Sequence, residues 1–298
     1  MMDRRLTPAN KRVADPSLED RWPGVRYCEP DPYSVQWPMV DLMNAPEGHR
    51  DRQLLFGEAV GVYEMHEGWA FVQAAKDGYV GYVPQSSLAQ VPAATHRISA
   101  AASHVYDQPN FKSRDLMRLT HGCLIHVLAQ EQGFLKTSQG YIPAVHCVTT
   151  DVQQPDPVTE AKLFLDTPYL WGGNSRFGID CSGLVQSAFM ACGIDCPGDS
   201  DLQEIELGYE IDDMETLRRN DLLFWKGHVA LVADDNRLIH ANAFHMAVVY
   251  EDVDQAIARI AAQGDGPVIS RKRVPMHTAQ SGETPEASTR SATSFGSV

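Results

Sequence analysis

Residues 167–193 read TPYLWGGNSRFGIDCSGLVQSAFMACG. An aromatic run leads to a glycine pair, a charged and glycine-broken loop follows, and Cys181 then opens a segment with helical apolar spacing. Leu184, Val185, Ala188, Phe189 and Cys192 fall on one stripe of an amphipathic helix, and Gly193 stands where a C-cap is expected. Cys181 is therefore predicted at a helix N-terminus. Unsatisfied N–H groups and the positive end of the helix dipole lower a thiol's pKa there and favour the thiolate. A buried, inert cysteine is the plainer alternative, since free cysteine is among the most buried residue types. Asp180 and Ser182, polar neighbours that a core thiol does not need, and histidines far downstream argue instead for a nucleophile whose partners meet it only in the fold.

After the turn-rich CPGDSDLQ (196–203) and a mostly polar stretch at 204–220, the hydrophobic period changes to that of strands. NDLLFWKG, HVALVADD, NRLIHANAF and HMAVVYED read as strands, RKRVP as a candidate last strand, and DVDQAIARIAAQG as a helix ending at Gly264. Helix first and sheet later, with hairpin-length links, predicts an α+β domain with an antiparallel sheet.

The two histidines that matter in this sheet are His228, at the start of HVALV, and His240, in RLIHA. A three-residue loop, Asp234-Asp235-Asn236 with Asn236 left-handed, would pair Ala233 with Arg237 and Ala230 with His240. His228 would then lie diagonal to His240 on one face, Cβ atoms about 7 Å apart. A loop of two or four residues would put the rings on opposite faces. In the first case Cys181, His228 and His240 can form a line: His228 takes the thiol proton, His240 orients His228, and the Cys181 N–H offers an oxyanion donor. A zinc site from Cys192, Cys196, His228 and His240 is the rival use, but the cysteines straddle a helix C-cap and no second close pair exists. No metal or other cofactor is expected. His66, His121 and His245 show no partner pattern and read as ordinary surface or core residues.

Upstream, DVQQPDPVTE (151–160) is a polar, proline-broken linker. Before it an internal repeat is legible. Gly57 to Gly68-Trp69 has the spacing of Gly122 to Gly133-Phe134, and Gly81-Tyr82-Val83-Pro84 matches Gly140-Tyr141-Ile142-Pro143. Each unit reads as short strands and turns suited to a small five-stranded barrel, and the punctuation resembles bacterial SH3-like (SH3b) domains. The first copy carries six more residues between its matched glycines, so Tyr79 has no counterpart in the second and is a surface candidate, whereas Tyr82 and Tyr141 are structural. In the proline- and aromatic-rich 25–46, Val35, Trp37, Met39 and Val40 are expected to be buried. The resulting division is 1–22 lead-in, extended or partly ordered; 23–92 and 93–150 two SH3-like units; 151–277 the α+β domain; and 278–298 a disordered tail rich in Ser, Thr, Ala and Gly.

The chain has 298 residues, 43% hydrophobic and 21% charged, a composition ordinary for a folded soluble protein. Its net charge of −14, without Lys/Arg clusters among aromatics, argues against nucleic-acid or anionic-membrane partners. No secretory signal pattern or membrane-length apolar run stands in it, and six cysteines form no dense framework. A cytoplasmic location is expected; no oligomeric state is implied.

PYLWGG (168–173), GIDCSGLVQ (178–186), DSDLQ (199–203), DLLFWKGHVALV (221–232) and RLIHA (237–241) together resemble the NlpC/P60 family of papain-like cysteine peptidases. With two SH3b-like units in front, the chain is similar to the γ-D-glutamyl-L-diamino acid endopeptidases. The resemblance implies a catalytic Cys181, His228 as base and His240 as third member. It also implies a substrate: the γ-D-Glu to diamino acid bond (meso-diaminopimelate or Lys) of murein-derived peptides with a free N-terminal L-Ala, in cell-wall peptide recycling. Tyr169, Asp180 and Ser182 would then line the pocket for the N-terminal dipeptide, with Asp180 meeting the ammonium. An acidic residue and a tyrosine of the first SH3b unit would close the groove, Glu58 and Tyr79 being the candidates and Tyr82 the fallback. The family's frequent Pro-Arg-Asp-Ser is Pro197-Gly198-Asp199-Ser200 here, which removes that arginine, and its Gly-Asp is Asn220-Asp221. Two other readings remain open: an amidase or acyltransferase of the same superfold, and a non-catalytic SH3b peptide-binding protein.

Overall fold

A computed structural model of the chain describes residues 2–276. The expected domain end at 277 and the tail 278–298 lie outside the described residues. No helix among the described residues is long and apolar enough to cross a membrane.

The first β unit is a single antiparallel sheet of seven strands. Ala59–His66, Trp69–Ala74 and Val80–Pro84 form a meander in its middle, and Arg50–Leu55 and Leu88–Ala89 lie at its two edges. Val35, Leu42, Leu54, Val72 and Val83 share its core. The second unit splits into a five-stranded and a three-stranded sheet around Ile98, Val105, Leu119 and Ile142. The repeat shows in the backbone: Gly57, Gly68, Gly122 and Gly133 all take left-handed φ, from +80° to +85°, which side chains with a Cβ disfavour. It shows again where Met43 pairs with Tyr82 in one unit and Tyr106 with Tyr141 in the other.

Neither unit closes into the expected barrel, because the ladders end on edge strands. Pro84 and Pro143 each end a strand and lead the chain into a 3-10 turn, Gln85–Ser87 and Ala144–His146, after which it pairs with a different strand. Trp37, expected inside, is 41% exposed, whereas Val35 and Val40 are buried and Met39 partly so. Within residues 2–22, Val13–Ala14 pairs in parallel with Arg26–Tyr27, and Val13 packs with Tyr63 and Phe71 of the first unit.

The α+β domain has four helices, α1 (Pro157–Lys162), α2 (Cys181–Ala191), α3 (Ser200–Glu206) and α4 (Val253–Gln263), and a six-stranded antiparallel sheet. In spatial order its strands are Tyr209–Glu210, Ser270–Arg273, Leu222–Trp225, His228–Asp234, Arg237–Asn242 and Ala247–Asp252. Strand alternation divides the core. Leu222, Phe224, Val229, Leu231 and Ile239 face Leu184, Val185, Ala188 and Phe189 of α2, while Leu223, Trp225, Ala230, Val232 and Leu238 face Ala256 and Ile260 of α4. Each fully buried Leu, Val or Phe contributes about 1.5–3 kcal/mol, so α2 is pinned to the sheet along its whole apolar stripe. Cys181 is its first residue, Asp180 its N-cap, and Gly193 just past its end has φ +76°. α4 ends at left-handed Gly264, where the sequence places its stop.

Candidate active site

The hairpin that carries both histidines keeps the expected register but reaches it differently. Leu231 pairs with Ile239 and Val232 with Leu238, and continuing that register sets Ala230 opposite His240. The turn, however, closes on an Asp234–Arg237 pair, with a register shift between Val232 and Asp234. Asn236 is not left-handed; the odd residue is absorbed by the bulge instead of the loop. Either device puts His228 and His240 on one face, and His228 Nε2 lies 3.0 Å from His240 Nδ1.

The network extends beyond the sequence reading. His240 Nε2 is 3.0 Å from Glu251 Oε2, and Glu251 is gripped by Arg259 through Nε (2.7 Å) and Nη2 (2.8 Å). A carboxylate only accepts, so His240 Nε2 carries its hydrogen toward Glu251 and Nδ1 is left as an acceptor. His228 Nε2–H then donates to it, which leaves His228 Nδ1 free to take a proton. The Asn242 amide nitrogen, also 3.0 Å from His240 Nε2, is outcompeted for that position by the charged Glu251. Burial works against the Glu251 carboxylate, but the Arg259 and His240 hydrogen bonds outweigh it and hold its pKa at about 2. Glu251 was findable: Leu238 pairs with it on the adjacent strand, which makes it a same-face diagonal neighbour of His240. Glu251→Gln is expected to lower kcat on the order of 10²-fold with KM little changed, since ring orientation is lost and the pocket is not. A kcat within twofold of the parent would remove Glu251 from the network's function.

Burial opposes the thiolate that the helix position of Cys181 favours. Backbone N–H groups of Val229, Ser182 and Cys181 itself are turned toward the sulfur and favour the thiolate. Burial, followed by the adjacent Asp180 carboxylate, outweighs them and pushes the Cys181 pKa up to about 12. Burial, with His240 next to it, lowers His228 to about 3. Both shifts favour an uncharged thiol and an uncharged imidazole over a thiolate–imidazolium pair. Alkylation of Cys181 by iodoacetamide should rise about tenfold per pH unit from pH 7 to 10, because the thiolate fraction grows with pH below the thiol's pKa. A plateau already reached below pH 8 would show a preformed thiolate–imidazolium pair.

Around Cys181 lies a concavity of ≈ 210 Å³ lined by Arg5, Asp51, Tyr169, Trp171, Asp180, Ser182, Asp199, Ser200, Asp201 and Gly227. A neighbouring one of ≈ 320 Å³, sharing Tyr169 and Gly227, holds His228 with Lys226, Asn242, Phe244 and Arg259. Tyr169, Asp180 and Ser182 are thus brought together at the thiol. Asp180 is 6% exposed and its carboxylate accepts from Gly183 N (2.6 Å), Gly172 N (2.8 Å) and Ser182 Oγ (3.0 Å). The glycine pair has a steric reason: Gly172 sits at φ +68°, and a Cβ there would come within 2.6 Å of the Asp51 carbonyl oxygen. Only glycine lets the loop rest on the first β unit.

Glu58 and Tyr79 are not where the resemblance puts them. Glu58 is buried against Lys76 Nζ (2.7 Å) in a different cavity. Tyr79 is 1% exposed, and its hydroxyl donates to Asp199 Oδ2 (2.7 Å) from behind the pocket wall, so it positions Asp199 and does not line the pocket. Tyr82 packs on Phe71, centroids 5.1 Å apart, also outside the pocket. The first unit instead presents Asp51, and residues 2–22 contribute Arg5, which bonds Asp199 (2.7 Å) and Asp201 (2.7 Å). Nor is the space beside Gly198 without a guanidinium. Buried Arg52 reaches Asn174, Gln186, Asp199 and the Gly198 carbonyl, and a Cβ on Gly198 would lie 2.8 Å from its Nε. Asp199, so occupied, makes no side-chain cap to α3. Nothing local in the sequence marks Arg5, Asp51 or Arg52, whose contacts span the domain junction.

Residues 42–88 match the family described as bacterial dipeptidyl-peptidase Sh3 domain, and residues 166–261 match the NlpC/P60 family. Dipeptidyl-peptidase 6 of Lysinibacillus sphaericus is 27% identical over 235 residues, covering 68% of this chain and 85% of that protein. Gamma-D-glutamyl-L-lysine dipeptidyl-peptidase of Bacillus subtilis is 32% identical over 216 residues, covering 63% of this chain and 71% of the relative. The chain belongs to the NlpC/P60 family. It is a cysteine peptidase with an SH3-like domain ahead of its NlpC/P60 domain. The crystal structure of an NlpC/P60 family protein from Bacillus cereus shares the fold at a TM-score of 0.69 and 19% identity, over 82% of this chain and 99% of that one. The span matched to the NlpC/P60 family contains Cys181, His228, His240 and Glu251, whereas Arg5 of the pocket lies outside both matched spans.

Proposed function

We propose that this peptidase hydrolyses the γ-D-Glu to diamino acid bond of murein-derived peptides that carry a free N-terminal L-Ala. The observation that carries the proposal is the concavity beside Cys181, where the four carboxylates of Asp51, Asp180, Asp199 and Asp201 gather and three guanidiniums, Arg4, Arg5 and Arg52, answer them only in part. Such a surplus of carboxylates suits a small cationic end group, and the printed names of two relatives, dipeptidyl-peptidase 6 and gamma-D-glutamyl-L-lysine dipeptidyl-peptidase, support the same reading.

In this reading His228 Nδ1 takes the Cys181 proton as the sulfur attacks the γ-glutamyl carbonyl carbon, with the Cys181 N–H among the oxyanion donors. The tetrahedral intermediate collapses, the C–N bond breaks, and His228 returns the proton to the departing amine. Water activated by His228 then cleaves the thioester and releases the dipeptide. The diamino acid leaves on the side of Tyr169 and His228, where exposed Lys226 can meet its carboxylate. Arg5 and Asp51 wall the other end, which favours short released fragments over intact strands and fits a recycling role in the cytoplasm. The second β unit, with the same glycine spacing and Tyr141 in the place of Tyr82, is read as a second SH3-like copy.

The test is one incubation with L-Ala-γ-D-Glu-meso-diaminopimelate and its L-Lys counterpart, followed by mass spectrometry. Release of L-Ala-γ-D-Glu from either is the expected result. Both peptides remaining intact would sink the substrate assignment. Dipeptide transferred to an added amine in preference to water would point to the acyltransferase reading.

A further inference from the structure

Glu58 belongs to a separate cavity of ≈ 290 Å³ where the first β unit, the second β unit and α2 meet. It uses the flank of α2 that carries Gly183, Gln186, Ser187 and Met190, while Cys181 and Ser182 line the catalytic concavity. The exposed linker residues Asp151, Val152 and Gln153 edge it, so it has a route to solvent.

Two buried polar atoms in its wall have no partner. Arg97 is 8% exposed; its Nη2 donates to the carbonyls of Val152 (2.9 Å) and Ala191 (3.0 Å), yet no protein atom among the described residues accepts from Nη1. Glu58 is 8% exposed; Oε1 takes Lys76 Nζ, and Oε2 receives no hydrogen bond. Lys76 bonds Glu58 and His121 Nε2 lies 2.9 Å from Glu160, whereas Arg97 has no carboxylate among its hydrogen-bond partners. Buried Arg52, by contrast, meets Asp199. Burial accordingly lowers the Arg97 pKa, with Glu160 offsetting it only in part. A buried guanidinium with no carboxylate bonded to it is costly, and Leu55, Leu124 and Met190 give the wall an apolar stretch.

We propose that this cavity is a second, non-catalytic binding site for a small organic carboxylate that also carries a hydrogen-bond donor. The carboxylate accepts from Arg97 Nη1, the donor reaches Glu58 Oε2, and an apolar body lies on Leu55, Leu124 and Met190. Junctions between domains are common places for such sites, and the volume suits a ligand the size of an amino acid or a short hydroxy acid.

The test uses the full chain with 2-hydroxyhexanoate and 6-hydroxyhexanoate, each against its neutral primary amide, read by calorimetric titration and by the thermal midpoint. At least one acid should bind with a Kd of about 1 mM or tighter, and its amide at least tenfold more weakly. Arg97→Gln should weaken the acid at least tenfold and leave the alkylation rate of Cys181 unchanged. If Arg97→Gln does not fold, hydrogen exchange on the unaltered chain decides: the bound acid should slow exchange at 121–124 and 150–153. Equal affinity for acid and amide, no binding of either acid at roughly 10 mM, undiminished binding by a folded Arg97→Gln, or protection only around Cys181 and His228 would each overturn the proposal.

Discussion

Cys181→Ala is expected to lower release of L-Ala-γ-D-Glu from L-Ala-γ-D-Glu-meso-diaminopimelate on the order of 10⁴-fold or more. The magnitude follows from the chemistry: without the sulfur no thioester forms, and neither His228 nor the pocket carboxylates can replace it as nucleophile. The fold should survive, because Asp180 still caps α2 through Gly183 N and the stripe from Leu184 to Phe189 still holds the helix on the sheet. A thermal midpoint near that of the parent, measured beside the rate, separates loss of chemistry from loss of structure. More than a hundredth of the parental rate in folded Cys181→Ala protein would mean that another group does the work.

Acetylating the substrate's N-terminal amine should reduce kcat/KM by about 10²-fold, equivalent to about 2.7 kcal/mol of lost transition-state binding. In the proposed reading acetylation removes the charge of an ammonium that faces a pocket in which Asp180 has already spent three acceptor positions on Gly172, Gly183 and Ser182, and in which Arg5 neutralises part of Asp199 and Asp201. Asp51, held by Arg4 through both carboxylate oxygens at 2.7 and 3.1 Å, is the pocket carboxylate that neither caps a helix nor bonds Arg5. Asp51→Asn should therefore slow the free-amine peptide and narrow the gap between free and acetylated substrates. Equal kcat/KM for the two peptides would end the ammonium reading while leaving the Cys181 chemistry standing, so the two experiments fail separately.

The thiol's state shows how a correct local reading can mislead. Helix position argues for a thiolate, and the N–H groups that support it are in place around the sulfur. Packing of the helix start against the strand that begins at His228, together with Asp180 as cap, removes water from the thiol and sets a carboxylate beside it. Burial depends on what docks over a residue, and periodicity carries no record of that.

What the amino-acid sequence determined by itself is everything governed by neighbours along the chain. The 3.6-residue stripe after Cys181 places a helix start there, a short hairpin joins the strands of His228 and His240, and glycines recur in two β units, whereas the bulge that puts both rings on one face shows only in the structure. What only the tertiary structure decided is the wall of the pocket. Arg5, Asp51 and Arg52 meet residues more than a hundred positions away, Glu58 turns into another cavity, and Tyr79 stands behind Asp199. Those placements follow from how three units dock, through close backbone approaches such as Gly172 on Asp51 and a buried guanidinium shared between domains. Docking is set by side-chain shape and charge across surfaces that are not contiguous in sequence, so local pattern gives the catalytic line and the assembled fold gives the specificity.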